Sequence, residues 1–387
     1  MATLRTLVVP PGPSAHSMMA ALAAVLDGSA TPVLPVPGGD LRQYELLTSS
    51  LRAGEDIDDD VALVIPTSGT TGTPKGALLT APALIASATA THDRLGGAGT
   101  WLLALPPHHI AGMQVLIRSV VAGTTPVEID VSSGFDVAAL PEAVAAMKLG
   151  SGRRYASLVG VQLAKALADP AAAAALADLD AVLLGGGPAS EAVLEGAAVA
   201  GISVVRSYGM SETAGGCVYD GRPLDGVQLR IDDDGRIVLG GATLAKGYRN
   251  PADPDPFAES GWFRTDDIGA VDDSGVLQVL GRADDAISTG GLTVLPQPVE
   301  AALITHPDVV DSAVFGVPDE RLGQRVAAVV VLAFDSPEPT VAELRAHVEQ
   351  TLDATAAPRE IHIVEEVPRL GIGKVDRRAL VDRYSPS

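Results

Sequence analysis

Short apolar runs alternate with alanine-rich stretches along the first half of the chain. The runs Thr6–Val9, Val61–Pro66, Trp101–Leu105 and Ala181–Leu184 carry almost no polar interruption, the pattern of strands covered on both faces. Between them, Met18–Leu26, Ala81–Leu95, Phe135–Met147 and Gln162–Leu176 predict helices. That alternation predicts α/β layers with a largely parallel sheet. After about Ser207 the texture changes to short strand-like segments around acidic turns that end in glycine. One set is Val227–Ile231, Asp232–Gly235 and Arg236–Leu239; the next is Ile268–Val271, Asp272–Gly275 and Val276–Leu280. These are hairpin signals, and they predict a small antiparallel β subdomain. From Asp284 onward a helix (Pro296–His306), two strands (Val309–Val317, Arg325–Leu332), a helix (Thr340–Leu352) and a last strand (Glu360–Glu365) predict an α+β domain. The expected organisation is a large N-terminal domain over residues 1–283, built of layered α/β sheets with the β subdomain, and a small α+β domain over 284–387.

Composition changes this picture in three ways. A chain of 387 residues that is 47% hydrophobic has material for two or three packed cores. Its formal net charge of −21 repels phosphate backbones, which argues against a nucleic-acid partner. A single cysteine, Cys217, excludes an intrachain disulfide and any multi-cysteine metal site, and fits a reducing compartment. Prolines at Pro10, Pro11 and Pro13 interrupt any export signal, and no stretch reaches the roughly 18 apolar residues of a membrane span. The cytoplasm is the expected location, and a homodimer is left open.

The sharpest chemical signal is TSGTTGTPKG, Thr67 to Gly76, directly after the strand-like run Val61–Pro66. Glycines let a backbone approach a polyphosphate, N–H groups and hydroxyls donate to it, and Lys75 neutralises one phosphoryl charge. It is not a Walker A loop, because Lys75 follows Pro74 and Gly76 stands where the magnesium-binding hydroxyl belongs. The string resembles the signature loop of the acyl-adenylate-forming superfamily, whose members include acyl-CoA synthetases and adenylation domains.

Other segments resemble that family's motifs in order. The resemblance implies that Thr67, Ser68, Gly69, Thr70, Thr71 and Lys75 cradle the phosphates of ATP. In LPPHHIAGM, His109 matches a residue near the acyl pocket. Gly185, Gly186 and Gly187 end a strand that would border adenine and acyl group. In SYGMSET, Tyr208 and Gly209 would flank adenine, Ser211 or Thr213 would meet phosphate, and Glu212 would hold Mg2+, since a carboxylate is the hard oxygen ligand magnesium takes. In GWFRTDDIG, Asp267 would accept both ribose hydroxyls, with Asp266 replacing the family's usual glycine. In GRADDAISTGG, Arg282 would reach the ribose or phosphate, and Asp284 would be the hinge about which a mobile C-terminal domain turns. Near the end, Lys374 in RLGIGKVDRRAL would meet the substrate carboxylate and the α-phosphate.

The implied reaction joins a carboxylic acid to AMP and then passes the acyl group to coenzyme A. Ser211–Val227, the triple-glycine strand end and the short N-terminal part look most like family members that act on 2-succinylbenzoate, an aromatic dicarboxylate. Such an acid needs a contact for its second carboxylate, and His109, Ser207 and the backbone at Gly186 are the candidates. Another aryl or short-chain acid, or a stand-alone adenylation activity, is the alternative; a non-catalytic nucleotide sensor would be expected to lack Lys374, Glu212 or Asp267.

Overall fold

Three of the unbroken apolar runs become inner strands of two sheets, while Thr6–Val9 lies in the edge strand Arg5–Val9, whose Val8 stays exposed. A computed structural model describes residues 1–13, 15–67, 73–148, 152–370 and 374–385. The chain divides into two compact units, residues 1–230 with 238–264, and residues 231–237 with 265–387. The division runs through the strands Val227–Ile231, Arg236–Gly241 and Trp262–Val271.

In the first unit, a four-stranded sheet is ordered Arg5–Val9, Val33–Pro37, Val61–Ile65, Ala77–Thr80; all but the last strand are parallel. A seven-stranded sheet is ordered Arg222–Pro223, Gly215–Tyr219, Val204–Met210, Ala181–Gly185, Arg153–Val159, Gly99–Leu103, Val127–Glu128. Its inner strands are parallel, and Gly215–Tyr219 returns antiparallel. Side chains alternate between two cores, as the two-residue period of a strand requires. Trp101, Leu103, Tyr155 and Leu183 join one core together with Leu63, Ile65 and Leu79 of the smaller sheet. Leu102, Ala156, Leu158, Val182 and Leu184 enter the other. Burial on both faces is why these runs read as continuous apolar sequence.

Helix ends follow local chemistry. Ala81–Leu95 forms as predicted: the Thr80 hydroxyl accepts from the Ala83 N–H, and Gly96 closes the helix in the left-handed conformation. The predicted helix Gln162–Leu176 is instead two, Gly160–Leu167 and Pro170–Ala177. Pro170 has no N–H to continue the first helix, and the Asp169 carboxylate caps the second by accepting from Ala171 and Ala172 at 2.9 and 3.0 Å. Over Phe135–Met147 only Leu140–Met147 is α-helical, preceded by a short 3-10 turn.

In the second unit, the acidic turns work as hairpin formers. Asp272 accepts from the N–H groups of Ser274 and Val276, with Gly275 in the left-handed region. The following strand pairs Asp267 with Arg282. Beyond it, a sheet ordered Leu292–Val294, Ile287–Thr289, Gly323–Leu332, Val309–Asp319, with Glu360–Ile363 parallel to Gly323–Leu332, is covered on both faces. Val326, Ala328 and Val330 pack under helices Pro296–Ile304 and Val341–Val348, while Ala327 and Val329 meet Leu380 of helix Arg377–Tyr384. Among the described residues no helix is long and apolar enough to cross a membrane.

One buried histidine links this packing to pH. His92 is 5% exposed, and its Nε2 accepts from the Trp101 indole N–H at 3.4 Å. That bond requires an unprotonated nitrogen. Burial first, and the nearby Arg118 charge second, push its pKa from 6.5 down to about 4. The folded value lies below the unfolded one, so the stabilisation is complete above pH 6.5 and is lost as pH falls towards 4. Thermal or urea unfolding at pH 7 and pH 5 should show His92 alone removing on the order of 2 kcal/mol at the lower pH. His92→Gln, which keeps an acceptor but does not titrate, should flatten that slope; an unchanged slope would exclude His92 as its source.

Candidate active site

The parallel strands Arg153–Val159, Ala181–Gly185 and Val204–Met210 end along one edge of the seven-stranded sheet, where open α/β sheets bind ligands. Gly186 follows with φ +83°, and a Cβ there would lie 2.9 Å from the Val159 side chain, so the chain can turn this tightly only with glycine. Gly187 is likewise exposed at the strand end, and Gly185 packs on the Ser207 carbonyl of the next strand. Tyr208 pairs with Val218 in the antiparallel hairpin to Gly215–Tyr219. A Cβ on Gly209 would sit 2.1 Å from the Gly215 carbonyl oxygen, so this close crossing needs a residue without a side chain. The structure thus brings together Gly185–Gly187, Ser207, Tyr208 and Gly209 on neighbouring strands.

The hairpin then places a carboxylate. Ser211–Thr213 form a 3-10 turn; the Thr213 hydroxyl accepts from the Met210 N–H at 3.0 Å and donates to the Gly215 carbonyl at 2.7 Å. Glu212, in the middle of this turn, is 8% exposed. The Tyr248 hydroxyl donates to its Oε1 at 2.6 Å. The Lys75 ammonium lies 5.3 Å from the centroid of the same tyrosine ring. Of the phosphate-loop residues, Ser68, Gly69, Thr70 and Thr71 lie outside the described residues. Thr67 is described, and its buried Oγ1 has no hydrogen-bond partner there.

These donors fit magnesium. Among the described residues no cluster of three or more His, Cys, Asp or Glu could form an all-protein cage. Magnesium is ordinarily held by one or two carboxylates together with substrate phosphates and water, which Glu212 beside a phosphate loop satisfies.

His109 precedes helix Ile110–Ala122 and makes no side-chain cap bond. Its ring centroid is 4.2 Å from that of His108. Burial holds the pKa of His109 below the usual value; burial, then the neighbouring His109, takes His108 down to about 4. Both imidazoles are therefore neutral at pH 7, able to pack on an aromatic ring or share one hydrogen bond.

One turn and two turns further along this helix are two residues that the motifs missed. Gln114, fully buried, donates to the Ala214 carbonyl at 2.6 Å, but its Oε1 has no partner. Arg118 is 3% exposed; it donates to the Ser157 hydroxyl at 3.3 Å and stacks 4.7 Å from the Trp101 ring centroid. Its Nε has no partner, and no carboxylate among the described residues pairs with it. The signal in the sequence was a lone arginine inside the apolar run Met113–Ala122.

The remaining candidates belong to the second unit. Asp267 is 9% exposed, with Oδ1 3.5 Å from the Arg282 guanidinium. Arg282 also donates twice to Asp284, at 2.8 and 2.7 Å. Burial alone would lower its pKa, but the bonds and charge of Asp284, with Asp267 and Asp266, hold it above the usual value. The extra charge of Asp266 is met by Arg236 at 2.6 Å. Lys374 is placed by its backbone, in a two-strand hairpin opposite Leu370; its side chain lies outside the described atoms. Arg153 and Arg206 pair with Asp180 and Asp220, and Arg154 donates to the Asp178 carbonyl. Cys217 is buried, and burial pushes its thiol up to about 12, which removes it as a nucleophile.

Known proteins match this arrangement along its whole length. The "AMP-binding enzyme" family model covers residues 15–249, and the "AMP-binding enzyme C-terminal domain" model covers 298–374. A protein named "Probable 2-succinylbenzoate--CoA ligase" of Mycobacterium tuberculosis is 66% identical over 384 residues, 99% of each chain. The "2-succinylbenzoate--CoA ligase" of Geobacillus kaustophilus is 36% identical over 93% of this chain and 76% of its own. The solved o-succinylbenzoate CoA synthetase (MenE) of Bacillus subtilis, in complex with the acyl-adenylate intermediate OSB-AMP, superposes with a TM-score of 0.78 at 26% identity over 100% of this chain and 89% of its own. With both family models matched in order on one continuous chain, this protein belongs to the AMP-binding enzyme family.

Proposed function

We propose that this chain is an ATP-dependent ligase that activates 2-succinylbenzoate as an acyl-adenylate and transfers the acyl group to coenzyme A, in menaquinone biosynthesis in the cytoplasm. The names of its relatives support the reaction. The observation that carries the choice of a dicarboxylic acid is Arg118. A guanidinium this deeply buried costs several kcal/mol unless an anion compensates it, and among the described residues no carboxylate pairs with Arg118. The second carboxylate of the substrate supplies that charge. Arg118 lies roughly 13 Å along the helix axis from His109, by the rise of nine helical residues. Gln114, on the same helical face one turn before Arg118, offers the strip its unpartnered oxygen.

A carboxylate oxygen of the acid attacks the α-phosphorus of ATP, and pyrophosphate leaves. Thr67 and Lys75, with the loop between them, hold the phosphates; Asp267 accepts the ribose hydroxyls; Tyr208 and Gly185–Gly187 bound the adenine. Glu212 holds Mg2+, which when bound offsets phosphate charge. Lys374 offsets the charge that builds as two anions meet. The coenzyme A thiol then attacks the acyl carbon, its proton passes to solvent, and AMP leaves. We assign the change between the two half-reactions to rotation of the C-terminal domain about Asp284.

Pyrophosphate release with ATP, magnesium and coenzyme A should be fastest with 2-succinylbenzoate among a panel that includes benzoate, a fatty acid and amino acids, and its thioester should be the product. Preference for another acid would keep the chemistry and overturn the substrate. Arg118→Met should raise the KM for 2-succinylbenzoate about a hundredfold. The same change should leave the melting temperature of the free protein level or higher, because it removes an unmatched buried charge. A fall in stability with an unchanged KM would make Arg118 a structural residue. Lys374→Ala should abolish adenylate formation yet spare thioester formation from supplied acyl-adenylate; equal loss in both would overturn its role.

A further inference from the structure

A strap of residues 245–250 ties the two charged ends of the phosphate site together. At its start, the Ala245 N–H donates to the carbonyl of Glu212 itself, at 2.8 Å. Its middle pairs with strand Ala77–Thr80: Lys246 donates to Leu78, and Leu78 donates to Gly247. At its end, the N–H groups of Arg249 and Asn250 donate to the carbonyls of Gly76 and Lys75, and the Asn250 side chain donates to Pro74 at 2.9 Å. Tyr248 stands between these attachments. Its ring is held edge-on by Phe257, centroids 5.4 Å apart at 80°, and Phe257 is backed by Phe263 at 4.8 Å. The tyrosine therefore has little freedom, and it presents a different part of itself to each charge.

We propose that Tyr248 is a positioning residue that presets both charges for magnesium-bound ATP, its hydroxyl orienting the Glu212 carboxylate and its ring face holding the Lys75 ammonium at the loop exit. A short hydroxyl–carboxylate bond in a mostly buried setting is strong and directional, so it fixes the rotamer of Glu212 before a metal arrives. Partners of this kind behind a metal ligand are worth about 10–100-fold in metal affinity. The ring contact restrains a long, flexible cation that would otherwise lose rotamer freedom on meeting phosphate. The proposal rests on the reading of Glu212 as the magnesium ligand.

Two substitutions separate the two halves of the role. Titration calorimetry of ATP binding to the full chain, once with EDTA and once with saturating Mg2+, gives a metal-free affinity and the gain that magnesium adds. Tyr248→Phe keeps the ring and removes the hydroxyl; it should cut the magnesium gain about tenfold while metal-free affinity stays at the parent's value. Tyr248→Leu should lose the same gain and also weaken metal-free binding about threefold. A Phe variant with the parent's magnesium gain overturns the hydroxyl's role, and a Leu variant that matches Phe without metal overturns the ring's. Glu212→Gln run in parallel should abolish the gain. If it does so while Tyr248→Phe does not, the proposal alone fails; if Glu212→Gln keeps the gain, the assignment of the ligand fails beneath it.

Discussion

The packing around Glu212 depends on keeping a carboxylate satisfied while it is almost buried. Desolvating Glu212 is unfavourable by several kcal/mol unless its oxygens find donors, and the Tyr248 hydroxyl provides one at short range. That requirement propagates outward. The tyrosine must be held, so Phe257 and Phe263 stack behind it. Its backbone must be fixed relative to the phosphate loop, so residues 245–250 pair with Ala77–Thr80 and with the loop exit. Glu212 must face the strap, so the 3-10 turn that carries it is locked by the Thr213 hydroxyl. A single polar contact thus organises segments separated by more than a hundred residues of sequence.

Arg118 shows the opposite economy. It is buried on an apolar helix, touches one hydroxyl and one indole face, and pairs with no acid among the described residues. As a contribution to folding it is unfavourable, since a methionine of similar length would pack without desolvation. Such a residue makes sense where a ligand brings the missing charge. Its neighbour Gln114, with an oxygen unpaired, repeats the pattern one turn away. His92, whose pKa burial and the Arg118 charge push down to about 4, stays neutral at pH 7 and so adds no further repulsion to the guanidinium.

The second unit handles charge by pairing rather than isolation. Arg282 gathers Asp284, Asp267 and the unusual Asp266, while Arg236 takes Asp266 from the other side. The glycine that the family places at this position carries no charge to balance; here the aspartate arrives with an arginine to meet it.

Motif residues such as Lys75, Glu212, Asp267 and Lys374 stand out in the chain because the roles proposed for them, toward phosphate, magnesium and ribose, call for particular side chains in short, ordered strings. The inner strands were legible because burial on both faces leaves an unbroken apolar record. Helix breaks were less so: Asp169-Pro170 ends one helix and starts another inside a stretch whose alanine content favours both. Tyr248 could not be read in advance, since nothing in its local sequence marks it, and Arg118 showed only as a lone arginine in an apolar run. Their surroundings come from what stands opposite: Tyr248 meets Glu212 across the fold, and Arg118 meets no acid among the described residues. The chain alone determines which chemical groups are present and where secondary structure begins. Only tertiary packing decides which charges are paired, because pairing depends on distance in space between residues far apart in sequence.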